Sequence, residues 1–250
     1  MPRCQRTFYY LRHSDLPAGA ASAATGNALR WICPYCTDAE IYERIGEAEL
    51  LQYALLAENY CKQEFGAPTD APRPYALFYG VRPECRLELS DYRYDIYLQQ
   101  GSDAFQLRLQ IGHEMFHRIC SQGRVFHWTH EMLACMTAVR LLRQYASAEY
   151  ADSIAQEYLK QSEKCSMGAM LHSNVTDPPY TEGIYGRAFV TGVLLQEAVG
   201  WHLLRRLARS LNKRGQVDIS LWLQRLPTEV VAPALKVLKG AENPPTQNAG

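Results

Sequence analysis

The segment His113-Glu114-Met115-Phe116-His117 constrains this sequence most, because it combines two histidines four residues apart with an acid directly after the first. On a helix, His113 and His117 share one face and can reach one ion, while Glu114 points sideways toward a water molecule on that ion. Neutral imidazole nitrogens suit zinc, and a catalytic zinc site uses three protein ligands and leaves a fourth position to water. The segment therefore predicts a zinc-dependent hydrolase with one ion, and it requires a third ligand.

The residues around this segment favour an amphipathic helix. Ser102 is the expected N-cap, and residues 104–110 are mostly good helix formers. Apolar residues recur at steps of three and four, namely Phe105, Leu109, Phe116 and Ile119. A structural cluster of histidines is the alternative, but the helical context favours a zinc site.

Glu131 is expected to supply the third ligand. It stands fourteen residues after the second histidine, at the start of another predicted helix for which Thr129 is the expected N-cap. Cys135 and Ala138 share a helix face with Glu131. Small side chains there would let the two helices approach closely enough for a short carboxylate to reach the metal.

Other roles are open for the residues of this second helix. His127 and His130 lie nearer the preceding turn and are rival metal ligands. Glu131 could instead serve the helix dipole, since an acid in the first turn is favourable there.

Three strand-like segments precede the motif, at residues 75–79, 86–89 and 92–98, and short turn-like stretches separate them. These strands are expected to form a small, mostly antiparallel sheet. The last strand runs almost directly into the histidine helix, which should place Tyr97 and Gln99 beside the metal. As an edge strand, it could pair with an extended peptide substrate through backbone hydrogen bonds.

The rest of the chain is predicted to be mainly helical. Thr37 to Glu40 has the pattern of a capping box, and the helix that follows should stop at Gly66. Further helical patterns cover residues 148–164, 183–211, 218–226 and 228–238, with a loop at 167–179. The predicted fold class is therefore α+β, with an N-terminal extension at 1–37, one catalytic domain at 38–240 and a disordered tail at 241–250.

Composition excludes several classes of function. The 250 residues carry 26 basic and 26 acidic side chains, and a net charge of zero argues against a general nucleic-acid binder. No stretch approaches the about 18 apolar residues of a membrane span, and the apolar residues 8–11 are too few for a signal peptide. We expect a cytoplasmic protein with a peptide or protein substrate and no nucleic-acid or membrane partner.

The eight cysteines form no regular framework, so most are expected to be reduced. Cys33 and Cys36 stand in a Cys-Pro-Tyr-Cys tetrapeptide that resembles the glutaredoxin redox motif. The pair could also be half of a structural zinc site completed by Cys4, His13 or Cys61. A turn without a chemical role is the third alternative.

Two motifs together resemble those of the gluzincin zinc metallopeptidases, especially the aminopeptidase-N-like enzymes and compact minigluzincins. They are the motif at 113–117 and Trp128-Thr129-His130-Glu131-Met132-Leu133-Ala134. The resemblance extends over residues 75–240 and implies a zincin-like fold. It also implies that zinc is held by the two histidines and Glu131, and that Glu114 is the general base.

A third segment, from Tyr180 to Ala188, resembles the Tyr…Tyr-x-Lys-Gly segment of those enzymes. By this resemblance, Tyr185 would stabilise the oxyanion of the tetrahedral intermediate, and Tyr180 would be the neighbouring tyrosine of the substrate site. Two features differ from the family. The Gly-Ala-Met-Glu-Asn strand of aminopeptidases is absent, and Cys135 stands where thermolysin has an aspartate.

The sequence therefore predicts a gluzincin-type zinc peptidase in which Glu114 takes a proton from water and passes it to the leaving amine. One alternative is a regulatory metalloprotein that recognises a partner without cleaving it. Another is a protease that cuts a single regulator. Retention of both Glu114 and Tyr185 favours an enzyme, because binding alone requires neither.

Overall fold

A computed structural model describes residues 32–34, 47–66, 75–79, 85–89, 94–99, 102–121, 128–172, 182–214 and 219–240. The described chain is mostly helical. Its helices are α1 (Glu47–Phe65), α2 (Ala104–Phe116), α3 (Trp128–Tyr145), α4 (Ala148–Ser162), α5 (Met167–His172), α6 (Ile184–Val199), α7 (Trp201–Arg214), α8 (Ile219–Leu223) and α9 (Thr228–Gly240). The predicted capping box at 37–40 lies outside the described residues.

Four short strands form one small mixed sheet in the order β1-β2-β4-β3. They are β1 (Ile32–Pro34), β2 (Tyr75–Tyr79), β3 (Arg86–Leu89) and β4 (Tyr94–Leu98). β2 pairs parallel with both β1 and β4, and only β3 and β4 are antiparallel. The prediction of a mostly antiparallel sheet is therefore wrong.

The reason is that β2 does not form a hairpin with the next strand along the chain. The short connections between the strands suggested hairpins, but β3 lies on the far side of β4. This order places Leu77 of β2 beside Ile96 of β4, and both side chains are fully buried. Burial of apolar side chains outweighs the local preference for a hairpin.

The strand order also corrects the predicted substrate strand. β4 is paired with β2 along its whole length on one side and with β3 over residues 94–97 on the other. Its backbone groups are already used, so β4 cannot add an extended peptide. Among the described strands, β3 is the edge on this side of the sheet.

Helix α2 begins one residue later than predicted, because Asp103 rather than Ser102 is its N-cap. The Asp103 carboxylate accepts hydrogen bonds from the backbone N–H groups of Phe105 and Gln106, both at 2.8 Å. The carboxylate satisfies two N–H groups that have no partner within the helix. The predicted N-cap of α3 is also wrong, because Thr129 lies inside this helix, which starts at Trp128.

Helices α2 and α3 pack against each other at their small residues, as the sequence predicted. A Cβ placed on Gly112 would lie 3.2 Å from the Cα of Ala138. Such a close approach brings the first turn of α3 within reach of the histidines on α2. Helix α1 packs on the other side of α2 and ends at Gly66, as predicted.

Helix α2 continues into a π-helical turn, His117–Ser121, and such turns often occur at functional sites. The turn carries Arg118 into the core, where its Nη1 lies 3.3 Å from Oε1 of Glu58 on α1. The guanidinium also lies 4.6 Å from the ring centroid of Tyr75. These contacts anchor the chain directly behind the second histidine of the motif.

Two further predictions about the C-terminal half are wrong. The apolar pattern at 183–211 is not one helix, because Gly200, with φ of 83°, separates α6 from α7. The expected loop at 167–179 begins with the short helix α5. Throughout the described chain, every helix is too short or too polar to span a membrane.

Candidate metal and active site

Three predicted ligands converge in the core between α2 and α3. The Nε2 atoms of His113 and His117 lie 3.0 Å apart. The carboxylate of Glu131 places Oε2 at 3.1 Å from Nε2 of His113 and Oε1 at 3.4 Å from Nε2 of His117. Among the described residues, these three form the group whose ligand atoms could hold one metal ion.

The donor set fits a zinc ion. Two neutral imidazoles cannot each direct a lone pair at the other without repulsion, so the 3.0 Å Nε2–Nε2 distance calls for a cation or a proton between them. The nearby carboxylate supplies the negative charge that a divalent cation requires. Two histidines and one glutamate form one of the ligand sets of catalytic zinc sites.

Electrostatics keep the carboxylate ready for a cation. Burial alone would raise the pKa of Glu131, but the imidazoles of His117 and His113 outweigh that effect and hold its pKa well below the usual range. Burial lowers the pKa of His113, but contacts with Cys135 and Glu131 raise it well above the usual value. Both shifts reflect the attraction between the Glu131 carboxylate and positive charge at the imidazoles, which is the charge that a bound cation would supply.

The three ligands differ in exposure, and this difference decides from which side the site can be reached. The side chains of His117 and Glu131 are 1% and 2% exposed, whereas that of His113 is 15% exposed. Solvent therefore comes nearest to the group at His113. A catalytic zinc site leaves one coordination position to water, which could reach the group from the side of His113.

Glu114 lies beside the ligands and contacts the sheet. Its side chain is buried, and its Oε1 accepts a hydrogen bond from the thiol of Cys85 at 3.3 Å. Cys85 directly precedes the edge strand β3 and is half-buried. The predicted general base therefore lies at the junction of the motif helix and the edge of the sheet.

Tyr185 also reaches the site, from the first turn of α6. Its ring centroid is 6.0 Å from that of His113. Two glycines bring α6 this close, as the sequence predicted. A Cβ on Gly183 would lie 2.2 Å from the carbonyl oxygen of Gln161, and a Cβ on Gly186 would lie 2.4 Å from that of Tyr158.

The remaining predicted site residues are placed differently. Tyr97 is buried within the sheet. Gln99 is exposed, and its backbone N–H donates to Oε1 of Gln110, one helical turn before His113. His130 is fully buried on α3 and does not belong to the group of possible metal ligands among the described residues. Tyr180 and His127 lie outside the described residues.

Sequence reasoning missed two residues that touch the site. Cys85 contacts Glu114 from 29 positions away, and no pattern in the sequence connects them. Tyr158 on α4 lies near Cys135, which in turn contacts His113. A signal existed only for Cys135, which follows Glu131 by one helical turn and so shares its face.

Neither protein-family models nor curated proteins match the sequence. Among solved structures, the fold is similar to that of a two-domain M1 zinc metallopeptidase, a mutant crystallised with L-tryptophan bound. The TM-score is 0.52 and the identity is 14%, over 87% of this chain and 50% of the other. The chain thus spans half the length of that protein. The likeness concerns the fold.

Proposed function

We propose that this protein is a zinc-dependent peptidase of gluzincin type that hydrolyses peptide bonds in a peptide or protein. The observation that carries the proposal is the convergence of His113, His117 and Glu131 in a buried group of which His113 is the most exposed member. Glu114 directly follows His113 on the same helix. The similarity to an M1 zinc metallopeptidase points to the same class of reaction.

His113, His117 and Glu131 would hold one zinc ion. A zinc ion in such a site acts as a Lewis acid that lowers the pKa of a water molecule and polarises a carbonyl group. Glu114 accepts the proton of the attacking water and delivers it to the leaving amine. The hydroxyl of Tyr185 donates a hydrogen bond to the developing oxyanion.

The peptide substrate would add to the free edge of β3 rather than to β4. The chain at the start of β3 touches Glu114 through Cys85, so a peptide paired with this edge would pass the general base. Backbone pairing tolerates many side chains, and specificity would come from neighbouring pockets. A structure with a bound peptide that leaves residues 85–89 uncontacted would refute this placement.

The decisive experiment measures zinc content and peptide hydrolysis in the same preparations of the full chain. The parental protein should bind one zinc and cleave members of a peptide mixture. Glu114→Gln should keep the zinc and lose hydrolysis by roughly 10²- to 10⁴-fold. Glu149→Gln, an exposed acid on α4, should match the parental protein in both.

Two ligand variants complete this test. Glu131→Gln should weaken zinc binding, because the amide carries no charge to offset that of the cation. The double variant His113→Ala, His117→Ala should bind none at the site. Full zinc occupancy in that double variant would refute the assignment of the ligands.

A regulatory metalloprotein that binds a partner without cleaving it is the second candidate. The observation in its favour is that the Cys85 thiol already donates a hydrogen bond to Oε1 of Glu114. A narrow-specificity protease would share this geometry but cleave one protein at one bond. Zinc binding by a parental protein that hydrolyses no peptide in the mixture would favour these alternatives, whereas hydrolysis that depends on Glu114 excludes the pure binder.

A further inference from the structure

Cys135 touches the metal ligand His113 from behind. It lies on α3, one turn after Glu131, and its side chain is fully buried. Its Sγ is 3.7 Å from Nδ1 of His113, within hydrogen-bonding distance for sulfur. The contact is to the ring nitrogen that does not face the other ligands.

The two ring nitrogens of His113 have separate partners. Nε2 faces Nε2 of His117 at 3.0 Å and Oε2 of Glu131 at 3.1 Å. A neutral imidazole carries one N–H, so a lone pair on Nε2 for a cation requires the proton to be on Nδ1. With the proton on Nδ1, His113 donates and the Cys135 sulfur accepts.

Tyr158 of α4 also lies near Cys135. Burial, together with the proximity of Cys135, raises the pKa of Tyr158 well above its usual value. The Tyr158 ring packs against Phe189 of α6, with centroids 4.9 Å apart.

We propose that Cys135 is a positioning residue that fixes the tautomer and ring orientation of His113. This inference rests on the proposed zinc-binding role of His113, and Cys135 itself touches neither metal nor substrate. Outer partners of metal-bound histidines usually change metal affinity by about 10- to 100-fold when removed. A neutral thiol is a weaker acceptor than a carboxylate, so it should hold the ring with less added basicity.

The test measures zinc affinity of the full chain by competition with a chelator. Cys135→Ala removes the acceptor and should weaken zinc binding by about 10- to 100-fold. Cys135→Ser replaces the sulfur with a smaller hydroxyl oxygen that can still accept a hydrogen bond. It should therefore recover a clear part of the zinc affinity that Cys135→Ala loses. Cys165→Ala is the matched control, because Cys165 is buried but lies apart from the ligand group, and it should bind zinc as the parental chain does.

The comparison of Cys135→Ala with Cys135→Ser separates positioning from packing, since a packing defect alone would weaken zinc binding equally in both. Equal zinc affinities of the parental chain and Cys135→Ala would overturn the inference. Equal losses in the Ala and Ser variants would overturn it as well. A parental chain that binds no zinc would instead overturn the proposed function.

A second variant keeps the test decisive if Cys135→Ala does not fold. Cys135→Val fills the space of the thiol but offers no hydrogen-bond acceptor to Nδ1 of His113. It should weaken zinc binding by about 10- to 100-fold, whereas Cys135→Ser should bind zinc more tightly than Cys135→Val. Parental zinc affinity in Cys135→Val would overturn the inference.

Discussion

The thiol of Cys85 lies 3.3 Å from Oε1 of Glu114, so the start of the edge strand touches the proposed general base. Cys85 is half-buried, whereas the other cysteines whose side chains are described are buried or nearly so. A group attached to this sulfur would therefore occupy the space beside Glu114. At this contact the start of β3 meets the motif helix beside the proposed general base.

Alkylation of Cys85 should abolish the proposed peptide hydrolysis without removing zinc. A small alkyl group on the thiol would block the approach of water to Glu114, and the loss of a general base costs roughly 10²- to 10⁴-fold in turnover. The measurement is peptide hydrolysis and zinc content before and after treatment with iodoacetamide. Cys85→Ala should resist the reagent, and inactivation of this variant at the parental rate would contradict the prediction.

The buried ion pair between Glu58 and Arg118 should contribute strongly to stability. Glu58→Gln removes the carboxylate charge that faces the fully buried guanidinium, which costs about 3 kcal/mol or more. Lys62→Met is the control, because Lys62 contacts the same carboxylate but is 30% exposed, and its loss should cost less than about 1 kcal/mol. Denaturant unfolding of the metal-free chain measures both. Equal losses in the two variants would contradict the prediction.

The same ion pair should make stability depend on pH in the acid range. Burial would raise the pKa of Glu58, but Arg118 and Lys62 outweigh it and lower its pKa below the ordinary 4.5. The carboxylate therefore stabilises the fold fully above about pH 4.5, and this contribution is lost as the pH falls through the lower pKa of the folded state. The stability difference between the parental chain and Glu58→Gln should shrink as the pH falls below 4. A difference that stays constant would rule out this titration.

The sequence identified the three side chains of the candidate ligand group because each depends on local spacing. His113 and His117 are four residues apart, and small residues on the face of Glu131 indicated how closely the second helix could approach. Gly66 likewise predicted the end of α1 correctly, since its φ of 89° favours a glycine. These features depend on neighbours along the chain, which a sequence shows directly.

The order of the strands and the outer contacts of the site depend on distant neighbours. Nothing local distinguishes β3 at the edge from β4 in the middle, so the prediction that β4 is an edge strand is wrong, while a substrate role of Gln99 itself stays a prediction. Tyr158 lies on a mostly exposed, polar helix, where nothing in the sequence indicates that its side chain lies near Cys135. Such contacts follow only from the packing of whole helices.

Gly186 should be required for the position of α6. A Cβ there would lie 2.4 Å from the backbone oxygen of Tyr158, and the backbone of α4 cannot yield without moving the helix. Gly186→Ala should therefore destabilise the chain by about 1–3 kcal/mol and lower activity, because Tyr185 moves with the helix.

Gly168→Ala is the matched control for this variant. Gly168 is also helical, but the atom nearest to its added Cβ is 3.9 Å away. The substitution should be neutral or stabilise the chain by about 0.5–1 kcal/mol, because alanine restricts the unfolded chain more than glycine does. Thermal unfolding of both variants provides the comparison. Equal stability would show that α6 does not depend on the close approach.

Tyr185→Phe should separate a catalytic hydroxyl from a structural ring. The variant keeps the ring that lies 6.0 Å from that of His113, so zinc affinity and stability should stay near the parental values. If the hydroxyl donates to the oxyanion, turnover should fall about 10²- to 10³-fold with little change in substrate binding, because the bond forms mainly in the transition state.

Two controls make this result specific to the site. Tyr145→Phe changes an exposed hydroxyl at the end of α3 and should leave turnover unchanged. Tyr180→Phe should lose less than Tyr185→Phe, because the resemblance gives Tyr180 a part in the substrate site rather than in oxyanion stabilisation. Parental turnover of Tyr185→Phe on a validated peptide would mean that another group stabilises the oxyanion, and His127 and His130 would then be the residues to substitute next.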